Sequence, residues 1–101
     1  MRVMVFFDLP VTTLENKRDY RMFRRYLIKQ GFMMPQEAVY CKLVLNASMA
    51  SVVSANIHKN APEDGLIQIL VVTEKQYAKM DLVIGNIKSE VLNTDERLVF
   101  L

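Results

Sequence analysis

The five residues Val3-Met4-Val5-Phe6-Phe7 constrain the fold more than any other feature of the chain. They are β-branched or aromatic and apolar at odd and even positions alike, and Asp8-Leu9-Pro10 follows them at once. Such a run reads as a central strand covered on both faces, and proline cannot continue its ladder. The chain has 101 residues, enough for one domain, read as spanning 1–101. A domain this small buries a modest share of its surface, so something outside it is expected to help cover that strand.

The pattern downstream supplies one of the two covers. Thr12-Thr13-Leu14-Glu15 reads as a capping box with Thr12 as N-cap, opening a helix that runs to about Gln30 and is closed by Gly31. Tyr20, Phe23, Tyr26 and Leu27 share one face of it at 100° per residue. Phe32–Met34 and 38–45 read as two strands around Pro35-Gln36-Glu37, with Pro35 in the turn or else at an edge or bulge. Asn46 or Ser48 caps a second helix striped by Met49, Val52, Val53, Asn56 and Ile57. A loop from Lys59 to Gly65 follows, then an apolar strand from Leu66 to Thr73. The order β-α-β-β-α-β predicts an α+β, ferredoxin-like domain with an antiparallel sheet and both helices on one face. Met80–Ile84 alternates weakly as a fifth strand, and Arg97–Leu101 reads as a terminal strand. Residues 78–101 are thus expected to form a C-terminal extension that pairs with a partner's sheet edge.

Composition strengthens the expectation of a partner. Half the chain is apolar, 51%, more than one small monomer readily hides, which predicts a two-fold homodimer covering the bare sheet face. Cys41 is the lone cysteine, so no internal disulfide is available and a reducing, cytoplasmic setting is expected. Val3–Phe7 is too short for a signal segment and no run approaches a membrane span, so no membrane is expected among the partners.

Most catalytic devices are excluded. One histidine, His58, and one cysteine make no zinc site of ordinary spacing, and His58 lies in a polar run that reads as surface. Cys41 has no activating neighbours in sequence and reads as a small buried apolar residue. Glycines 31, 65 and 85 occupy turns or caps, with no phosphate loop among them.

Asp8 is the residue left over. It reads either as a turn residue bonding the backbone ahead of the helix or as a ligand for a hard cation. Magnesium takes one or two carboxylates and leaves the remaining positions to water and phosphate, so two copies of Asp8 brought together by a dimer axis would suffice for metal-assisted phosphodiester hydrolysis. On the first helix, Lys17, Arg18, Arg21, Arg24, Arg25 and Lys29 gather opposite the apolar face. They read either as a solvated face, partly neutralised by Glu15 and Asp19, or as a phosphate-binding surface, since arginine forks match phosphate oxygens. Nothing resembles base-specific readout.

The ordered set of Phe7-Asp8, Asn16-Lys17-Arg18, Gly31-Phe32, Gln36-Glu37-Ala38-Val39-Tyr40, Leu70–Tyr77 and Asp95–Leu101 resembles the smaller of the two core CRISPR spacer-acquisition proteins, the CRISPR-associated endoribonuclease family, in its type II-like variant. The resemblance spans the whole chain. It implies a prokaryotic ferredoxin-like homodimer with the two Asp8 side chains facing across the axis and binding Mg2+. It implies a metal-dependent endonuclease acting on single-stranded RNA or double-stranded DNA, which also bridges dimers of the larger integrase and lies under captured DNA. Arg18, Arg24 and Arg25 match basic positions of the family's first helix. Ala38 departs from the family's frequent Ser, removing a polar group near the aspartate. Two other functions fit fewer of these residues. One is a non-catalytic, DNA-binding scaffold subunit of the integrase complex. The other is a metabolite-binding regulatory domain, which needs neither Asp8 nor a basic helix.

Overall fold

A computed structural model describes residues 1–36 and 39–85 of the chain. Strand β1 (Arg2–Asp8), helix α1 (Leu14–Lys29), strands β2 (Met33–Gln36) and β3 (Val39–Leu43), helix α2 (Ala47–Asn60), strand β4 (Leu66–Val72) and a short helix α3 (Glu74–Ala78) follow in order. The four strands form one antiparallel sheet in the order β2-β3-β1-β4. This is the expected ferredoxin-like arrangement, with β1 at the centre.

Alternation along β1 explains its apolar character on both sides. Val3, Val5 and Phe7 enter the main core with Phe23 and Leu27 of α1, Tyr40 of β3, and Ala50 and Ile57 of α2. Phe7 anchors that core through ring contacts with Tyr20, Phe23 and Tyr40 at 5.8, 5.2 and 5.3 Å. Met4 points the other way, into a smaller cluster with Val39 and Cys41 that Phe6, Val72 and Tyr77 flank. Cys41 is buried, as its sequence setting implied. Pro35 lies within β2, an edge strand whose register against β3 shifts between Met33 and Gln36. That is the edge-and-bulge placement proline tolerates.

The helix ends differ in detail from the sequence reading. Thr13, not Thr12, caps α1, accepting from the Asn16 backbone N–H at 3.0 Å. Three residues on from the cap stands Asn16, so Glu15 is out of position for a capping box. At the far end Gly31 adopts φ +94°, its N–H donates to Ile28, and the Phe32 N–H donates to Leu27. This is a Schellman closure with Phe32 and Leu27 both buried beneath it. Asn46 caps α2 through Met49. The α2 stripe is corrected: Ala50, Val53 and Ile57 face the sheet, while Met49, Val52 and Asn56 are exposed. Residues 80–85 contain no strand, so the expected fifth strand at Met80–Ile84 is absent. Glu37, Ala38 and the expected strand 97–101 lie outside the described residues, as does most of the extension 78–101.

Candidate active site and nucleic-acid interface

Helices α1 and α2 lie on one side of the sheet, and among the described residues the other side is largely open. Met33, Leu43, Leu66 and Leu70 face that way with 48–61% of their surface exposed. The register explains this: Leu43 and Val72 flank Arg2, Cys41 and Leu70 flank Met4, and Leu66 sits opposite Asp8.

Asp8 closes β1 at one end of this open face. With Phe6, Val39, Leu66 and Gln68 it lines a depression of about 210 Å³. Its side chain is exposed, and among the described residues it accepts no hydrogen bond and meets no cation. The turn role open to it in sequence is therefore not taken, and Thr13 holds the backbone ahead of α1 instead. Gly65 sets the position of the strand end. At φ +109° it passes so close that an added Cβ would lie 2.5 Å from Leu9 Cδ2 and 3.1 Å from the Asp8 carbonyl oxygen.

The donor chemistry suits a hard cation, because a free carboxylate oxygen is the ligand magnesium prefers. One chain is nevertheless too poor to cage a metal. Among the described residues no three His, Cys, Asp or Glu side chains group together. Gln68, in register with Phe6 and so on the same face, adds an amide beside Asp8 that the sequence reading does not single out. Its signal is a single polar residue inside the apolar run Leu66–Val72.

The opposite end of the open face is partly covered. Arg2 donates from Nε and Nη2 to the Glu74 carboxylate at 2.9 and 3.0 Å, its guanidinium carbon stands 4.1 Å from the Tyr77 ring centroid, and its Nη1 lies 3.6 Å from Cys41 Sγ. Hydrogen bonding from Arg2 is the main cause holding the Glu74 carboxyl below its ordinary value. Helix α3 is thus fastened over the Met4–Cys41 cluster. A capping box at Thr73 and Gln76 starts it. The T-x-x-Q pattern is its sequence signal, one that stands alone without the apolar period that marks a longer helix.

Lys17, Arg18, Arg21, Arg24, Arg25 and Lys29 are all exposed on the outer face of α1, as expected. None forms an ion pair or hydrogen bond with another side chain among the described residues. Neither Glu15 nor Asp19 forms an ion pair with them among the described residues. The structure therefore brings the six cations together, but it separates them from Asp8. They lie beyond the helical layer, and Asp8 lies on the other side of the sheet. His58 is exposed, in keeping with its surface reading.

Fold and site together describe a ferredoxin-like domain with a basic helix outside and, among the described residues, an unpartnered carboxylate on a largely open apolar face. The sequence model described as "CRISPR associated protein Cas2" matches residues 1–80. The CRISPR-associated endoribonuclease Cas2 of Treponema denticola is 59% identical over 101 residues, the whole of both chains. Its namesake in Streptococcus mutans serotype c (strain UA159) is 44% identical, covering all of this chain and 93% of that one. That of Ligilactobacillus salivarius is 42% identical over the full length of both. A crystal structure of Streptococcus pyogenes Cas2 at pH 6.5 superimposes with a TM-score of 0.59, covering 82% of this chain and 99% of that chain at 14% identity, a likeness of fold. The chain belongs to the CRISPR-associated Cas2 family. No helix among the described residues is long and apolar enough to cross a membrane.

Proposed function

We propose that this protein is a CRISPR spacer-acquisition endonuclease, dependent on magnesium or another hard divalent cation, that works as a two-fold homodimer. The observation that carries the proposal is the Asp8 carboxylate, exposed and without a partner among the described residues, at the edge of an exposed apolar sheet face. Packing two such faces together covers Leu43, Leu66 and Leu70 and draws the two Asp8 side chains to one axis. Asp8 from each copy would hold the cation, which supplies positive charge to a scissile phosphodiester. The protein's own part is to fix the two carboxylates on rigid strand ends and to shield the site with the apolar residues around it. Single-stranded RNA, double-stranded DNA, or both, are the proposed substrates, and RNA is supported by the name endoribonuclease that the relatives carry.

The separation of α1 from Asp8 favours a second role beside the first. Six cations without partners among the described residues suit holding captured DNA by its backbone, while the larger integrase subunit is bridged by the same dimer. In its extreme form this is the alternative function, a non-catalytic scaffold. Cleavage of labelled single-stranded RNA and double-stranded DNA, in magnesium and in EDTA, separates the two for wild type and Asp8→Ala. A nuclease loses cleavage both in EDTA and in Asp8→Ala. A scaffold binds DNA and cuts neither substrate.

A further inference from the structure

The cations of α1 do not form a purely polar surface. Tyr20, Arg21, Arg24, Arg25 and Ile28 enclose a shallow pocket of about 370 Å³ on the outer side of the helix, within the range of about 300–1,000 Å³ common for small-ligand sites. Ile28 is 48% exposed, and Tyr20 is half-buried with its ring held against Phe7 at 5.8 Å. The three arginines have no ion-pair partner among the described residues. Ile28 sets an exposed apolar side chain between those arginines, beside the Tyr20 ring. An unpaired nucleotide has a use for the apolar side chains and the arginines alike. Its base offers flat apolar faces that pack on aliphatic and aromatic side chains and on guanidinium planes, and its phosphates take the remaining arginine donors.

We propose that Tyr20, Arg21, Arg24, Arg25 and Ile28 form a binding site for one unpaired nucleotide of a single-stranded nucleic acid. The base lies over Ile28 beside the Tyr20 ring, and the flanking phosphates contact Arg21, Arg24 and Arg25. The inference rests on α1 being the nucleic-acid surface proposed above and narrows it to strands with an accessible base. The pocket lies on the helical side of the sheet, away from Asp8, so occupying it leaves the proposed metal site open.

The test compares, by fluorescence anisotropy at fixed salt, a short oligothymidine, an oligouridine and an abasic oligomer of the same length, and a duplex, on the full-length protein. One stacked base predicts that the abasic oligomer binds about 5- to 100-fold more weakly than at least one of the intact strands, and the tighter of those identifies DNA or RNA as the natural source. Ile28→Ser closes most of that gap and leaves the salt dependence unchanged. Ile28 is chosen because, unlike Tyr20, it is not tied to the core. The double change Arg24→Ala with Arg25→Ala weakens intact and abasic strands alike and flattens the salt dependence. Equal binding of intact and abasic strands by wild type overturns the inference, as does a gap that Ile28→Ser leaves unaltered, while the backbone-binding role of α1 survives both. Binding of no strand and no duplex overturns both.

Discussion

Asp8 and Gly65 carry the site at the scale of single residues, and they do so in opposite ways. Asp8 contributes nothing visible to stability, being exposed and without a partner among the described residues. Asp8→Asn is therefore expected to leave unfolding stability within about 0.5 kcal/mol of wild type, while magnesium-dependent cleavage is lost. A large drop in stability would assign Asp8 a structural role that its surroundings do not show. Gly65 is the reverse case, chemically silent and sterically required. Gly65→Ala meets Leu9 and the Asp8 carbonyl at once and should cost about 1–3 kcal/mol in urea unfolding. Gly31→Ala should cost less, because an added Cβ there meets only the flexible end of Lys42 at 3.8 Å. Equal costs would mean that backbone conformation, not the close approach at the Asp8 strand end, sets the penalty. Asp8 was legible in sequence because a carboxylate closing a buried strand stands out. Its freedom was not, since the competing turn role depends on which nearby residue reaches the helix N-terminus first, and Thr13 does.

Among elements, α1 was legible and α3 was not. The 3.6-residue period of Tyr20, Phe23, Tyr26 and Leu27 is strong because the aromatic residues recur on one face and the six cations gather on the other, with Ile28 among them. In α2 the contrast is weak: small Ala and Ser residues are scattered among the large ones, so which side packs on the sheet is decided by close approach at Ala50 rather than by periodicity. Helix α3 has five residues, below the length at which a period can be seen, and it is held by the Arg2–Glu74 pair from distant sequence. That pair makes a pH-dependent contribution. The Glu74 carboxyl is held low in the folded chain, chiefly by its hydrogen bond from Arg2. Its contribution is therefore fully present above the ordinary glutamate value and disappears as pH falls through the lowered one. Thermal unfolding of wild type and Glu74→Gln should differ at neutral pH by no more than about 1 kcal/mol, as expected of a solvent-screened pair. The two should converge on acidification. A difference that persists or grows in acid would show that α3 is held by something other than the ion pair. The weak alternation at Met80–Ile84 did not form a strand among the described residues.

The whole molecule has two dissimilar sides. One carries α1, α2 and a basic surface, and the other is an apolar sheet face with α3 over one end and Asp8 at the other. The ferredoxin-like order was legible because the elements, β2 and β3 aside, are separated by Pro, Gly or a capping residue. The placement of Asp8 and the basic residues on opposite sides of the sheet was not, since it depends on the register of β1 between β3 and β4. That placement makes the two proposed activities separable. Arg24→Glu with Arg25→Glu should weaken DNA binding and lower the slope of log K against log salt by about 1 for each phosphate no longer neutralised. Sedimentation behaviour and Asp8-dependent cleavage of a saturating substrate should be unchanged. Loss of dimerisation in that variant would place the basic helix at the subunit interface, contrary to the open face described above. The most direct test of a site built from two Asp8 carboxylates is magnesium-dependent cleavage by wild type mixed and re-equilibrated with Asp8→Ala at constant total protein. If both carboxylates are required, activity falls with the square of the wild-type fraction, because mixed dimers are inactive. Activity falling in simple proportion to that fraction would show that each chain cuts with its own Asp8, and would contradict the shared site.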